Sequence, residues 1–435
     1  MSARKRVLIL GAAGRDYHNF NMVFRDNPGY EVVGFTHTQL PTDARLYPAK
    51  LAGRLYKKGV RIYREKDVGG LMKRLRADLV CFSYSDVTHA HVMHLASQAL
   101  AGGASFLLLG PNETMLKSKK KVVAVCATRT GAGKSPVTEY ISLLLRKMGF
   151  RPAIIRHPMP YGDLVKQEVQ VFREIRDLDK YSCTVEERED YERHIKNGFT
   201  VYAGVDYAKV LDMAEKNSDI IIWDGGNNDY PFIRPDQMIT VADAMRPGHE
   251  LEYHPGEANF RMADVIAINK WENNREGERI IRDNARNISP RAKIVKISMD
   301  ARVEGADLHG KSAVVVEDGP TITHGGMPHG IGYITAKKMG CKIINPKKYA
   351  HGMYKRIYDE YPHIGSVVPA IGYSKRQLAD LKKTIEAANP EGIVWATPAN
   401  PGSLIRLGVP IARVEYKLKG NTHIEMAVRR LMGKK

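Results

Sequence analysis

The chain has 435 residues, of which 43% are apolar and 26% are charged, a composition typical of a soluble globular protein. The length is too great for one ordinary hydrophobic core, so we expect two or three domains. No apolar run approaches the roughly 20 residues that a membrane span requires, and no signal peptide precedes the first apolar strand. These features argue against a membrane protein and predict a cytoplasmic location.

The charge of the chain is strongly basic. Lysine and arginine number 67 against 48 aspartate and glutamate residues, and the resulting net charge of +19 attracts polyanions. A phosphate-rich substrate, a nucleic-acid partner or a charge-rich surface of the thermophilic kind would each account for it, and the sequence leaves these alternatives open. The four cysteines have no C-x-x-C spacing, which argues against a zinc site or a disulfide framework.

Residues 1–118 are predicted to form a Rossmann-like domain. Residues 7–14 (VLILGAAG) are typical of a buried parallel strand that ends in a glycine turn. The turn lacks the third glycine of G-x-G-x-x-G and no acidic residue ends the second strand, so dinucleotide binding is disfavoured. A helix is expected over residues 89–101, and its apolar neighbours favour surface or core positions, rather than a metal site, for its histidines, His89, His91 and His94.

Residues 122–135 (VVAVCATRTGAGKS) carry the strongest functional signal. An apolar strand breaks into a loop rich in glycine and threonine, and a helix over residues 136–147 follows and points its positive N-terminal end at the loop. The pattern G-x-x-x-x-G-K-[ST] would place a glycine where this chain has Thr128, but the strand and the helix supply the expected context. We predict a nucleotide phosphate site made by Thr130, Gly131, Ala132, Gly133, Lys134 and Ser135.

Within this site, Lys134 supplies a charge for the β- and γ-phosphates and the Ser135 hydroxyl suits Mg²⁺. Two neighbouring strand ends are expected beside it. Arg156 ends the strand over residues 152–155, and Asp224 follows the buried strand DIIIW, where a carboxylate can bind Mg²⁺ directly or through water. The charged segment 164–199 is predicted to be a mostly helical insertion and a candidate lid.

Three further groups complete the predicted site. The turns RPGHE and HPGE supply His249 as a candidate catalytic residue and Glu257 as a third candidate metal ligand, after Ser135 and Asp224. The strand over residues 264–268 delivers Asn269 and Lys270 to the nucleotide, where an amide can bind a purine edge. The position that holds a guanine-binding aspartate in many GTPases has Glu272, so either ATP or GTP remains possible and the pattern slightly favours ATP.

The predicted domains are therefore a Rossmann-like domain over 1–118, a P-loop domain over 119–310 and a C-terminal α/β domain over 311–435, all of the α/β class. The C-terminal domain opens with a strand over residues 313–317. A loop rich in glycine and threonine, 318–330, and a helix follow it. This arrangement is either a second anion-binding turn without a lysine or an ordinary tight turn.

Several motifs resemble known families. The phosphate loop resembles the T-x-T-x-x-G-K-[ST] variant of dethiobiotin synthetase and the cobyrinate amidases, from which it departs at Ala127, and this resemblance implies a substrate-facing role for Arg156. Over nearly the whole chain, GAAGRDYHNFN, RHPMPYGDL, WDGGNND, RPGHE, HPGE, INK and the segment from VEDGPT to ITHGG resemble archaeal and bacterial proteins known as predicted GTPases. Those proteins are also described as similar to cyclic 2,3-diphosphoglycerate synthetase.

This resemblance implies an enzyme that uses Mg²⁺ and ATP or GTP on a phosphorylated small molecule. In the synthetase reaction, ATP would phosphorylate one phosphate of 2,3-diphosphoglycerate, and the neighbouring phosphate would then attack and close a cyclic anhydride with loss of phosphate. Arg156, His157, Arg246 and His249 would suit such an anionic substrate. The alternative is a GTP-hydrolysing switch or assembly factor, associated with RNA or the ribosome. A homodimer is also expected.

Overall fold

The computed structural model describes residues 4–12, 14–37, 45–65, 67–157, 162–226, 229–371, 375–397 and 407–433. Three mainly parallel sheets follow one another along the chain, each with helices packed against it. The α/β class predicted from the sequence is confirmed, with a Rossmann-like sheet first, the sheet of the phosphate loop second and a smaller sheet third.

The first unit is a six-stranded sheet in the order β3-β4-β2-β1-β5-β7, parallel except for β3. Its strands, together with the short β6, are β1 Lys5–Leu10, β2 Tyr30–His37, β3 Arg45–Tyr47, β4 Val60–Arg64, β5 Leu79–Phe82, β6 Val87–Thr88 and β7 Ser105–Leu108. Its helices are α1 Arg15–Asn19, continued by a π-helical turn Phe20–Phe24, α2 Ala49–Ala52, α3 Val68–Leu75, α4 His89–Ala101 and α5 Pro111–Thr114.

The second unit is an eight-stranded sheet in the order β10-β11-β9-β12-β8-β13-β15-β16, parallel except for β10. Its strands and the short β14 are β8 Lys121–Ala127, β9 Pro152–Arg156, β10 Gln170–Phe172, β11 Thr200–Ala203, β12 Ile220–Asp224, β13 Gln237–Asp243, β14 Tyr253–His254, β15 Val265–Asn269 and β16 Lys293–Lys296. Its helices are α6 Lys134–Lys147, α7 Ile175–Lys180, α8 Val185–Lys196, α9 Tyr207–Lys216, α10 His249–Glu252, α11 Gly256–Met262 and α12 Arg275–Ile288.

The third unit is a sheet in the order β17-β22-β21-β18-β19, with β20 paired to the other half of β18. Its strands are β17 Met299–Gly305, β18 Ser312–Asp318, β19 Lys342–Ile343, β20 Val368–Ala370, β21 Gly392–Ala396 and β22 Ile411–Leu418. Its helices are α13 Gly319–Ile322, α14 Ile331–Lys338, a 3₁₀ turn Pro346–Tyr349, α15 Met353–Glu360, α16 Lys375–Ala387 and α17 Thr422–Leu431.

The buried strands explain why the sheets form. The central strand β8 is buried from its second residue onward, and β12 and β15 are buried along their whole length. Continuous apolar runs of this kind are typical of parallel strands that helices cover on both faces. Because β8, β12, β13 and β15 run in parallel, their carboxyl ends meet at one edge of the sheet, and this edge carries the residues of interest.

The units are joined across their predicted boundaries. β17 lies before residue 311 and yet pairs with β22 of the third sheet. The last helix, α17, packs on α6 of the second unit, where Ile424 and Val428 share a buried cluster with Ile141 and Leu145. The segment 164–199 contains the edge strand β10 as well as two helices. The domain limits themselves stay a prediction. In the described part of the chain, no helix combines the length and the apolar character needed to cross a membrane.

Candidate functional site

The phosphate loop runs from the end of β8 into α6. Gly131 has φ +77° and Gly133 has φ +103°, conformations that side-chain-bearing residues rarely adopt. A Cβ at Gly131 would lie 3.0 Å from Thr321 of the third unit, and one at Gly133 would collide with the Asn269 amide. The two glycines therefore serve both the turn and the close approach of neighbouring elements.

Lys134 begins α6 and is buried, with its Nζ 3.8 Å from Asp224 Oδ1. Burial and then the positive charge of Arg156 lower the pKa of Lys134, while Asp224 raises it. A lysine held at the end of the loop by a carboxylate is placed where it can reach a bound phosphate. Ser135 is half-buried and lines the same cavity.

Asp224 ends β12 directly beside the strand of the phosphate loop and has no exposed surface. Oδ1 accepts from the Thr138 hydroxyl at 3.0 Å and pairs with Arg156 Nη1 at 3.0 Å, and Oδ2 lies 3.1 Å from His194 Nε2. Burial alone would raise the pKa of Asp224, but the charges of Arg156 and Lys134 bring it below its usual range. Asp224 is thus ionised and pairs with the side chains of both Lys134 and Arg156.

Arg156 ends β9 and is buried between two carboxylates. Its Nη2 pairs with Asp190 Oδ2 at 2.5 Å and its Nη1 pairs with Asp224, and it also donates to the Gly225 carbonyl at 3.0 Å. Burial lowers its pKa, but Asp190 and then Asp224 raise it above the ordinary value, so the guanidinium stays charged. Asp190 lies on α8, in the segment predicted as a candidate lid, and is absent from the predicted site because nothing in that charged segment distinguishes it from its neighbours.

Asn269, which ends β15, and Lys270, which follows it, contact the loop. Asn269 Nδ2 donates to the Ala132 carbonyl at 2.8 Å, and its Oδ1 accepts from the Lys270 amide at 2.9 Å. Lys270 Nζ donates to the Gly131 carbonyl at 2.9 Å and pairs with Asp243 at 2.7 Å. These contacts hold the loop against the end of β15, and they use both the nitrogen and the oxygen of the Asn269 side-chain amide. The predicted contact with a purine base gains no support from this geometry and stays a prediction.

His249 and Glu257 contact residues other than Lys134, Arg156 and Asp224. The ring of His249 lies 2.8 Å from Arg129 Nη1, and burial and the Arg129 charge lower its pKa. Glu257 pairs with Arg261 at 2.6 Å and with His89 at 3.5 Å, and it does not line the cavity described below. The structure therefore brings Lys134, Arg156 and Asp224 together. His249 contacts the loop residue Arg129, and Glu257 is paired with Arg261 and His89.

Arg129, in the phosphate loop, joins all three units. Its Nε pairs with Asp86 of the first unit at 2.8 Å, and its Nη2 donates to the His324 carbonyl of the third at 3.0 Å. The guanidinium also lies 3.6 Å from the ring centre of Tyr253. Arg129 has no role among the sequence-based predictions, although a charged residue inside a glycine loop is a usable signal.

The third unit supplies an acidic wall. Glu317, near the end of β18, accepts from the Tyr333 amide at 2.7 Å and the Gly330 amide at 3.0 Å. Burial raises the pKa of Glu317 to about 7, against the lowering effect of these hydrogen bonds. The Glu317 carboxylate therefore accepts hydrogen bonds from amides at the N-terminus of α14. In the turn after β18, which the sequence predicts as either an anion-binding turn or an ordinary tight turn, a carboxylate of the protein itself occupies the position of an anion.

One cavity of about 1090 Å³ connects these features. The loop residues 130–135 form its floor, Glu317 and Asp318 belong to one wall, and Arg15 and Asp86 of the first unit belong to another. A strand, a glycine loop, a lysine and a helix, with an aspartate ending the neighbouring strand, define the chain as a P-loop nucleotide-binding protein.

The chain is 53% identical over 420 residues, 96% of this chain and 94% of the relative, to arginine synthetase ArcE of Thermococcus kodakarensis. It belongs to the family of that synthetase and is an enzyme that uses a nucleotide. It is also 26% identical over 200 residues, 40% of this chain and 45% of the relative, to cyclic 2,3-diphosphoglycerate synthetase of Rubrobacter xylanophilus.

Among solved structures, the "apo" form of LpxK from Aquifex aeolicus, in complex with ATP, aligns with 79% of this chain and 95% of its own at 11% identity and a TM-score of 0.43. No protein-family profile matches the chain.

Proposed function

We propose that the protein is an ATP-dependent synthetase that forms the guanidino group of arginine. The identity of 53% over nearly the whole chain to a protein named arginine synthetase carries this proposal. The phosphate loop provides the matching chemistry, because a synthetase couples bond formation to nucleotide cleavage and a P-loop binds the nucleotide that is cleaved.

The substrate follows from the product. The ureido amino acid with the skeleton of arginine is citrulline, which carries an oxygen where arginine carries a nitrogen. ATP would transfer its γ-phosphoryl group to this oxygen, ammonia would attack the ureido carbon, and the oxygen would leave with phosphate. The attacking nitrogen loses a proton, so the products are arginine, ADP and inorganic phosphate. Such catalysis requires positioning and charge neutralisation.

The described residues suit both steps. Lys134 places a cation beside the loop, where negative charge develops as the phosphoryl group moves, and Arg156 helps to hold Asp224 against it. Glu317 lines the same cavity, and the pKa of its carboxyl, raised by burial to about 7, suits the uptake of a proton from the attacking nitrogen near neutral pH.

The proposed nucleotide is ATP with Mg²⁺. Glu272, the residue at the guanine-reading position, is already bonded to the Ser298 hydroxyl at 2.6 Å, which leaves guanine less well matched. Ser135 suits Mg²⁺, which keeps several waters and phosphate oxygens among its ligands. Asp224 gives both oxygens to protein donors, so we assign it to holding Arg156 and Lys134 rather than to direct metal ligation. The metal, when bound, would neutralise phosphate charge.

The test is a direct assay of the purified protein. With ATP, Mg²⁺, citrulline and ammonium, we expect equal amounts of arginine and ADP, and no arginine when any one component is omitted. The reverse reaction from arginine, ADP and phosphate should yield ATP and citrulline. A protein that forms no arginine in the first mixture and no ATP in the second would overturn the proposal.

Cyclic anhydride synthesis from a phosphoglycerate is a second candidate, favoured by the partial similarity to cyclic 2,3-diphosphoglycerate synthetase. It requires free positive charge for a polyanion. Arg156 is neutralised by two carboxylates, and Arg246 pairs with Asp243 at 2.8 Å and donates to the Gly325 carbonyl at 2.5 Å. This charge balance favours a zwitterionic substrate. Phosphate release stimulated by phosphoglycerate, and not by citrulline, would support the second candidate.

A further inference from the structure

The first unit has the geometry of a ligand-binding site of its own. In its sheet the chain proceeds from β1 to one side through β2 and β4, and then crosses to β5 and β7 on the other side. Ligands of open α/β sheets bind beyond the carboxyl ends of the strands at such a reversal. The two loops at this point, 11–14 after β1 and 83–86 after β5, contribute described residues to the cavity that contains the phosphate loop.

A dinucleotide does not fit this position. Asp16 already accepts hydrogen bonds from the Gly14 amide at 3.1 Å and the Tyr17 amide at 2.7 Å, so a carboxylate of the protein occupies the start of α1, where a pyrophosphate would bind. A Cβ at Gly11 would also lie 2.7 Å from Asp16 Oδ2, which closes the glycine turn. The ligand must therefore be small and must bind elsewhere in the crevice.

Two oppositely charged side chains of the cavity wall have unused hydrogen-bonding capacity. Arg15 is 4% exposed, and its Nε pairs with Asp229 at 2.8 Å, but its Nη1 has no hydrogen-bond partner among the described residues. The Asp86 side chain is 7% exposed, and Oδ1 pairs with Arg129, whereas Oδ2 has no such partner in the same part of the chain. Buried polar atoms are normally bonded, and those left over indicate a place for a ligand group.

We propose that this crevice binds the α-carboxylate and α-ammonium groups of an amino-acid substrate, the first at Arg15 and the second at Asp86. The inference rests on the proposed function, since it places the amino-acid end of the substrate whose other end reacts at the phosphate loop. The ion pairs Arg15–Asp229 and Arg129–Asp86 are each neutral overall. A zwitterion adds one negative charge beside Arg15 and one positive charge beside Asp86, so the net charge of the crevice does not change.

The span between the two ends fits an arginine skeleton. Arg129 starts in the phosphate loop and its Nε reaches Asp86, so the loop and Asp86 are no further apart than an arginine side chain can span. A substrate that binds Asp86 through its α-amine can therefore extend a side chain of the same length back toward the loop. The substrate and Arg129 would lie alongside each other, running in opposite directions.

The experiment measures the affinity of the full-length protein, with ADP present, for L-arginine, for agmatine, which lacks the carboxylate, and for 5-guanidinopentanoate, which lacks the α-amine. We expect wild type to bind L-arginine at least tenfold more tightly than either analogue. Asp86→Asn should lose the preference over 5-guanidinopentanoate, and Arg15→Lys should lose the preference over agmatine. Asp26→Asn, an exposed substitution in the same unit, should keep both preferences.

Other results would overturn the inference. Equal affinities of wild type for the three compounds would do so, as would Asp86→Asn and Arg15→Lys variants that weaken all three compounds equally while ADP binding is kept. If Arg15→Lys does not fold, the affinities of Asp86→Asn for L-arginine and 5-guanidinopentanoate are sufficient to test the proposed site. A wild type that forms arginine but shows no preference refutes this site only, whereas one that neither binds nor forms arginine refutes the proposed function as well.

Discussion

Lys134 is the cation that the phosphate loop holds beside Asp224, and it belongs to no hydrophobic cluster. We predict that Lys134→Ala lowers the rate of the proposed ATP-dependent synthesis by at least about 100-fold, because the charge that we propose for the transferring phosphoryl group would be lost. The melting temperature should change little. Lys147→Ala, at the exposed far end of the same helix, is the matched control. Normal turnover by Lys134→Ala would contradict the assignment of this loop as the nucleotide phosphate site.

Asp224 separates two roles that a carboxylate can have at this strand end. If it positions Arg156 and Lys134, Asp224→Asn should lower the maximal rate on the order of 100-fold and leave the Mg²⁺ concentration for half-maximal rate unchanged. If it binds the metal, that concentration should rise instead. Mg²⁺ titrations of both proteins measure the difference, with Asp212→Asn, whose side chain is 58% exposed, as control.

His18 gives the stability of the protein a predicted pH dependence. Its ring is buried, Nε2 lies 2.6 Å from the Thr114 carbonyl and the ring stacks on Phe232 at 4.1 Å. Burial first, and then the Arg15 charge, lower its pKa from 6.5 to about 3. The folded protein keeps the ring neutral while the unfolded chain takes up a proton below about pH 6.5. Stability from this residue is therefore full above that pH and is lost as the pH falls toward 3.

The expected slope is about 1.4 kcal/mol of unfolding free energy for each pH unit within this window. Urea unfolding at pH 7 and pH 5 should show a smaller decrease for His18→Gln than for wild type. The control replaces the exposed His423 by glutamine and tests whether loss of any histidine changes the slope. The same decrease in wild type and in His18→Gln would contradict the assignment.

The turn that begins α6 depends on Gly133 in two ways, through its φ of +103° and through the nearby Asn269 amide. Gly149, just after the same helix, has φ +91° and nothing within 4 Å of a built Cβ. Both alanine variants should suffer backbone strain of about 1–2 kcal/mol, but only Gly133→Ala should also lose nucleotide affinity. Calorimetric titration with ADP measures this, and equal affinities in the two variants would show that the contact with Asn269 does not shape the loop.

Sequence patterns predicted some elements closely and missed others for physical reasons. β8, β12 and β15 were recognised within one or two residues because buried parallel strands leave continuous apolar runs. The edge strands β3 and β10 were missed, since each has three residues and pairs with only one neighbour. The same pattern that identified Asp224, a carboxylate ending an apolar strand, also fits Glu317.

The rest of the site could not be read from the sequence because it arises from contacts between distant segments. Asp190 meets Arg156 only when α8 folds over the sheet, and Asp86 meets Arg129 only when the first and second units pack together. Asn269 illustrates the opposite case. Its position at the carboxyl edge was predicted, but its bond to the Ala132 carbonyl depends on the height of the loop above the strand, which periodicity does not encode.

The assembly of three units around one loop residue leads to a prediction about cooperativity. Arg129 and Asp86 are 5% and 7% exposed, and removing one partner of a buried pair costs about 3–5 kcal/mol. Arg129→Ala should therefore split or broaden the calorimetric unfolding transition as the first unit separates from the second. Arg151→Ala, which removes an exposed pair with Asp219, should leave the transition in place. A single unshifted transition in the Arg129 variant would exclude coupling through this residue.

A macromolecular partner stays a prediction of the net charge of +19. Within the described residues, the arginines nearest the phosphate loop are paired with carboxylates of the same chain, so the excess charge must lie elsewhere on the surface. Binding to a nucleic acid would weaken steeply with salt, and an RNA-binding titration at two salt concentrations tests it.

The packing of α17 on α6 bears on how the protein is made. Ile141 and Leu145 share a buried cluster with Ile424 and Val428, so the core of the second unit includes side chains that the ribosome supplies only after every strand of the third unit has been synthesised. Until then the apolar side of α6 stays uncovered in the growing chain. Translation arrested before α17 should leave nascent chains that proteases cut within the second unit, even though every strand of its sheet has already emerged.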